Sequence, residues 1–108
     1  MNLNEYQIET FKTATYPEDT GLYYTALGLA GEAGEVCNKV KKVIRDNNGI
    51  LPDDKRAELK DEVGDVLWYV SELSRVLGFS LADVAAHNIK KLASRQQRGV
   101  LSGSGDAR

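Results

Sequence analysis

The sequence predicts an all-α fold of four helices, the two longest packed as an antiparallel hairpin. Two observations carry this prediction. No segment alternates polar and apolar residues convincingly at period two, whereas two long stretches repeat apolar residues at spacings of three and four. Both prolines, Pro17 and Pro52, fall between periodic stretches and read as punctuation.

The first helix is expected from about Asn4 to Thr15, with Ile8 and Phe11 on one side, until Tyr16-Pro17-Glu18-Asp19 breaks it. A long helix follows from about Thr20 to Arg45. Its apolar series is Leu22, Ala26, Leu29, Ala33, Val36, Val40 and Ile44. Asp46-Asn47-Asn48-Gly49 supplies turn chemistry. After Pro52, Asp53 or Asp54 is expected to cap a third helix running to about Leu77, built on Leu59, Val63, Val66, Val70, Leu73 and Leu77. Gly78 suits a left-handed stop. Ser80 opens a fourth helix toward Gln97, with Asp83 three residues on as a capping-box variant. One domain over residues 1–98 is expected, with a Gly- and Ser-containing tail, 99–108, read as disordered.

Composition narrows the function classes. Fourteen Lys+Arg against sixteen Asp+Glu give a net charge of −2, so no global field draws the chain to a nucleic acid polymer or an anionic membrane. A single cysteine, Cys37, excludes an internal disulfide and a Cys-based zinc site, and suits a reducing cytoplasm. One histidine, His87, excludes sites needing two from one chain. The start MNLNEYQIETF lacks the features of a signal peptide, and no apolar run is long enough for a membrane span.

Sliding the sequence on itself by 30 residues superposes Leu29 on Leu59, Glu32 on Glu62, Gly34 on Gly64, Glu35 on Asp65, Val36 on Val66 and Val40 on Val70. Both long helices therefore carry E-x-G-(E/D)-V in one apolar frame. On a helical wheel each acidic pair borders its apolar stripe. If the stripes pack together, Glu32, Glu35, Glu62 and Asp65 line one edge of the hairpin.

Either pair alone is a common surface pattern. Here, however, Glu32 and Glu35 are the only charges in TALGLAGEAGEVC, with no basic residue three or four positions before either. Gly28, Gly31 and Gly34 share that stretch, each disfavoured in a helix interior by up to ~1 kcal/mol, and they allow close approach of a helix or a ligand. Four converging carboxylates repel unless protons or a cation intervene. Oxygen-only ligands favour Mg²⁺ or Mn²⁺, and Mg²⁺ held this way commonly also takes substrate phosphate oxygens. On the fourth helix Asn88, Lys91 and Arg95 share a face. That face suits phosphate, or simply complements the helix dipole.

GEAGEV (31–36), DEVGDVLWYV (61–70) and NIKKLASR (88–95) together resemble the MazG-like nucleoside triphosphate pyrophosphohydrolases, whose hallmark is E-x-x-E, a variable spacer, then E-x-x-D. The resemblance covers roughly residues 20–98. It implies a four-helix MazG-like module, assembled as a homodimer or a dimer of dimers (a homotetramer). It also implies Mg²⁺-dependent cleavage of a nucleoside triphosphate to the monophosphate and pyrophosphate. By that similarity Glu32, Glu35, Glu62 and Asp65 are metal ligands, and Lys39, Asn88, Lys91 and Arg95 hold phosphate. Glu35 is the expected general base.

Trp68 lies off both the apolar stripe and the acidic edge. It serves as an interface anchor or packs beneath the N-terminal helix. Tyr69 lies beside the carboxylates, where it touches ligand or shields the edge. Tyr23 and Tyr24 belong to a base pocket or a dimer core. Glu58 and Glu72 read as solvated, with a supporting role open to Glu58. His87 reads as partly exposed and Cys37 as a small core residue. Competing functions are phosphoribosyl-ATP pyrophosphohydrolysis and a non-catalytic helical dimerisation module. A di-iron bundle fails, because Val84 stands where a Glu-x-x-His pair needs its glutamate.

Overall fold

The structure is a computed structural model describing residues 1–108. It contains α1 (Leu3–Lys12), a 3-10 turn (Glu18–Thr20), α2 (Gly21–Asn47), α3 (Asp53–Val76) and α4 (Leu81–Gln97), with no strands. No helix is long and apolar enough to cross a membrane.

Local chemistry sets the ends of these elements. Asn2 caps α1 by accepting from the Glu5 N–H at 2.8 Å. That helix stops at Lys12, short of the expected Thr15, because Thr13 leaves helical geometry. α2 closes on Asn48 in the left-handed region (φ 54°). The expected aspartate cap of α3 is corrected: Pro52 holds the capping position without a side-chain bond. Asp53 and Asp54 sit inside the first turn, where negative charge favours the helix dipole. Gly78 (φ 85°) ends that segment, and Ser80 Oγ accepts from the Asp83 N–H at 3.1 Å to start α4.

α2 and α3 form the hairpin. α1 packs on α3 and α4; α4 packs on α1 and α3 but not on α2. The side of α1 that carries Ile8 and Phe11 is not the one it buries. Ile8 and Phe11 are half or more exposed, while Thr10 is buried. α1 is instead held by polar groups. The Gln7 side chain donates to Phe79 O and accepts from the Leu81 N–H, both at 3.0 Å.

The hairpin leaves much of its apolar stripe uncovered. Only Tyr16, Val43 and Leu81 are buried hydrophobic residues, too few for the core of an independent domain of this length. Leu22, Leu27, Val40 and Ile44 of α2, Val63 and Leu67 of α3, and Ile89 and Leu92 of α4 are all at least 39% exposed. The radius of gyration, 16.8 Å, exceeds the ~13 Å of a compact chain of about 100 residues. Cys37 is exposed rather than in a core. Beyond α4 the chain has no helix or strand. Arg108 donates to the carbonyls of Val100, Leu101 and Gly105, and Arg95 to that of Asp106.

Candidate functional site

The inner face of the hairpin carries acids where a hydrophobic contact would be expected. Thr25, Glu32 and Val43 fall within about 20° of one another on the α2 wheel, so Glu32 points at α3 from the middle of the packed face. One carboxylate oxygen each of Glu32, Glu62 and Asp65 lies within 4.8 Å of the others. Glu32 and Glu62 are half-buried; Asp65 is exposed. The structure thus brings together three of the four predicted carboxylates. Glu35, one turn along α2, is exposed and outside the trio.

The electrostatics follow from this crowding. Partial desolvation, then the charges of Asp65, Glu62 and Glu35, push the Glu32 carboxyl above the usual range. Lys39 offers relief, with Nζ 3.6 Å from Glu62 Oε1 and 3.5 Å from Glu58 Oε2. Desolvation works to lower the Lys39 pKa, but those two carboxylates outweigh it and hold the ammonium in its charged form. Glu58 also receives Lys55 at 3.3 Å, so its predicted solvation holds only in part.

The trio suits a small hard cation. Oxygens around one octahedral Mg²⁺, at Mg–O distances of about 2.1 Å, stand about 3–4 Å apart, so small side-chain rotations close the present spacing. No histidine or thiolate competes in the cluster, which matches the preference of Mg²⁺ or Mn²⁺ for carboxylates.

A cleft of about 310 Å³ adjoins the acids, lined by Thr13, Glu32, Asp65, Trp68 and Tyr69. Trp68 packs against the chain's own N-terminal segment: its Nε1 donates to Thr13 Oγ1 at 2.8 Å and it meets the Tyr16 ring edge-on. Tyr24 stacks on Tyr16 with centroids 5.0 Å apart, and Tyr69 stands edge-on to Trp68. Gly28 makes this wall possible, because a Cβ there would overlap the Tyr69 ring. Gly31 and Gly34, expected to permit close approach, have open space around them in the single chain. A larger groove, about 430 Å³, lies at the α3–α4 turn between Phe79, Asp83, Val84 and the exposed His87. It is mainly apolar and holds none of the clustered acids.

Behind the aromatic wall, sequence reasoning missed two groups. Thr13 was unremarked, and Glu72 is fully buried rather than solvated. Glu72 Oε1 accepts from Tyr16 at 2.7 Å and Arg75 Nε at 3.1 Å; Oε2 accepts from Thr10 at 2.8 Å. Arg75, three residues on, was the available signal for a paired acid.

The fourth-helix set is placed differently. Asn88 and Lys91 are exposed, whereas Arg95 is buried and bound to the Asp106 carbonyl at 2.9 Å. Since α4 does not pack on α2, folding of one chain does not bring these groups against the helix that carries Glu32.

Two comparisons with known proteins found matches. Residues 22–100 match the family profile described as the MazG nucleotide pyrophosphohydrolase domain. The chain is 46% identical over 114 aligned positions to the Gene 37 protein of Mycobacterium phage L5, with both chains covered completely. No solved structure matches.

Proposed function

The chain belongs to the MazG nucleotide pyrophosphohydrolase family, and from this we propose that it hydrolyses a (deoxy)nucleoside triphosphate to the monophosphate and pyrophosphate, in cleaning or regulating a nucleotide pool. The observation that carries the proposal is the meeting of Glu32, Glu62 and Asp65 beside an aromatic cleft.

Glu32, Glu62 and Asp65 hold the Mg²⁺, and Mn²⁺ substitutes for it. The ion supplies neutralisation of phosphate charge and acidification of a water. Lys39, close to Glu62, turns its ammonium to a phosphate oxygen. Glu35, standing free of the trio, takes the proton of the attacking water. Trp68 and Tyr69 present ring faces and edges to the base.

A second copy of the chain completes the assembly, as a homodimer or a homotetramer. The uncovered apolar faces of α2, α3 and α4 support this reading, since a single chain of this length buries too little. Asn88, Lys91 and Arg95 then reach phosphate across the subunit contact, Arg95 after release from Asp106.

Phosphorus NMR of a deoxynucleoside triphosphate panel with Mg²⁺ tests the reaction. Monophosphate and pyrophosphate signals are expected, absent in EDTA and in Glu62→Gln. Diphosphate and orthophosphate, or no turnover of any nucleotide, would refute it.

A further inference from the structure

Glu72 is the most deeply buried charged group in the protein, and the proposed reaction does not use it. Its side chain is completely inaccessible. Both oxygens are engaged, by Thr10 of α1, Tyr16 of the α1–α2 link and Arg75 one turn along α3. Arg75 closes the ring by donating to the Tyr16 hydroxyl at 2.8 Å and lies over the Phe11 ring at 4.3 Å. Ser71 Oγ lies 2.7 Å from Thr10 Oγ1. A buried carboxylate is costly unless every lone pair is answered, and this one is answered from three chain segments. The network ties α1 and the α1–α2 link to α3.

That link forms one side of the acidic cleft. Thr13, three residues before Tyr16, lines it and accepts from Trp68 Nε1. The Tyr16 ring supports Trp68 edge-on and Tyr24 face-on, and Tyr24 meets Tyr69 at 6.2 Å. The path from Glu72 to the cleft is therefore two contacts long: carboxylate to Tyr16 hydroxyl, Tyr16 ring to Trp68.

We propose that Glu72 is a positioning residue for the nucleoside end of the substrate: it fixes Tyr16 from within the fold and so sets the place of Trp68 and Thr13 in the cleft wall. This inference rests on the cleft being the nucleotide site. Glu72 acts on how the base is held and leaves the metal-binding carboxylates alone.

The variants are Glu72→Gln, which keeps shape and removes charge, and Tyr16→Phe, which keeps the ring and removes only the hydroxyl. Tyr16→Phe remains informative if Glu72→Gln folds poorly. Trp68 is the only tryptophan, so its emission reports the wall directly. In the unaltered protein, deoxynucleoside monophosphates with Mg²⁺ should quench Trp68. In both variants KM for triphosphate should rise about tenfold, the effect of one lost hydrogen bond to a charged group, with kcat within about twofold. Trp68 emission should shift, and Mn²⁺ affinity should stay unchanged. Gln7→Ala is the control, since it removes the side-chain bonds from α1 to Ser71 O, Phe79 O and the Leu81 N–H without touching the wall. A merely structural role for Glu72 predicts the same kinetics for Gln7→Ala and Glu72→Gln, and that result would overturn the proposal. So would folded variants with unaltered KM and emission. Absence of quenching in the unaltered protein would remove the cleft reading itself, and the proposal with it.

Discussion

Replacing Glu32 by Gln should stabilise the protein freed of divalent ions, although it disables the site. The three clustered oxygens lie within 4.8 Å of one another. Two unit charges at that distance repel by about 0.9 kcal/mol in water. Glu32 takes part in two of the three pairs, so its neutralisation relieves about 1.7 kcal/mol before screening. With a Debye length of about 8 Å at physiological salt, about 1 kcal/mol survives. For a domain of this size that is a rise in Tm of roughly 4 °C. The assay is calorimetric melting in EDTA at fixed protein concentration, repeated with excess Mg²⁺. Added ion should raise the Tm of the unaltered protein more than that of Glu32→Gln, which has one charged ligand fewer, and so narrow or reverse the gap.

The pH dependence of this gap has a definite sign. The folded pKa of Glu32 is raised above its ordinary 4.5, by desolvation first and then by the neighbouring acids. Protonation therefore favours the fold. The Glu32 contribution is most favourable below 4.5 and is lost as pH rises through the raised value. The advantage of Glu32→Gln in EDTA should vanish in acid and open above the ordinary carboxylate range. A variant that melts below the unaltered protein in EDTA at neutral pH would refute the reasoning.

Three further outcomes follow from the packing. Gly28→Ala gains helix propensity, but its Cβ overlaps the Tyr69 ring; urea unfolding should show a net loss of about 1–2 kcal/mol, and a gain would mean Tyr69 does not lie against α2. Lys39→Met should leave the Tm nearly unchanged, since its ion pairs are partly exposed, while steady-state kinetics show KM for triphosphate rising tenfold or more. Val40→Asp with Ile44→Asp should lower the mass seen by light scattering to the 11.9 kDa of one chain; an unaltered protein already at that mass would end the assembly proposal.

The helices were legible because their signals are local. Spacings of three and four marked all four, and Ser80 with Asp83 and Gly78 marked the start of α4 and the stop before it. The 30-residue repeat located Glu32, Glu62 and Asp65 because it marked the same acidic frame on both helices; in the antiparallel pair Glu32 meets Glu62 and Asp65 together, while Glu35 runs away from them. What a wheel does not hold is the direction of the partner. The apolar stripe of α2 reads as a packing face, but α3 covers only its inner border at Val43, so Cys37, Val40 and Ile44 lie open. Ile8 and Phe11 share one side of α1, yet the helix docks through Gln7 and Thr10 because its binding ground on α3 is the buried Glu72. Two partners of that carboxylate lie 56 and 62 positions away, and only Arg75, three residues on, marks it in the local pattern.

The most direct test of the account is a Mn²⁺ titration followed by electron paramagnetic resonance, on the unaltered protein and on Asp65→Asn. The account predicts saturable binding displaced by Mg²⁺, and affinity about tenfold weaker or worse once one of three charged ligands is gone. Identical isotherms for the two proteins would contradict it.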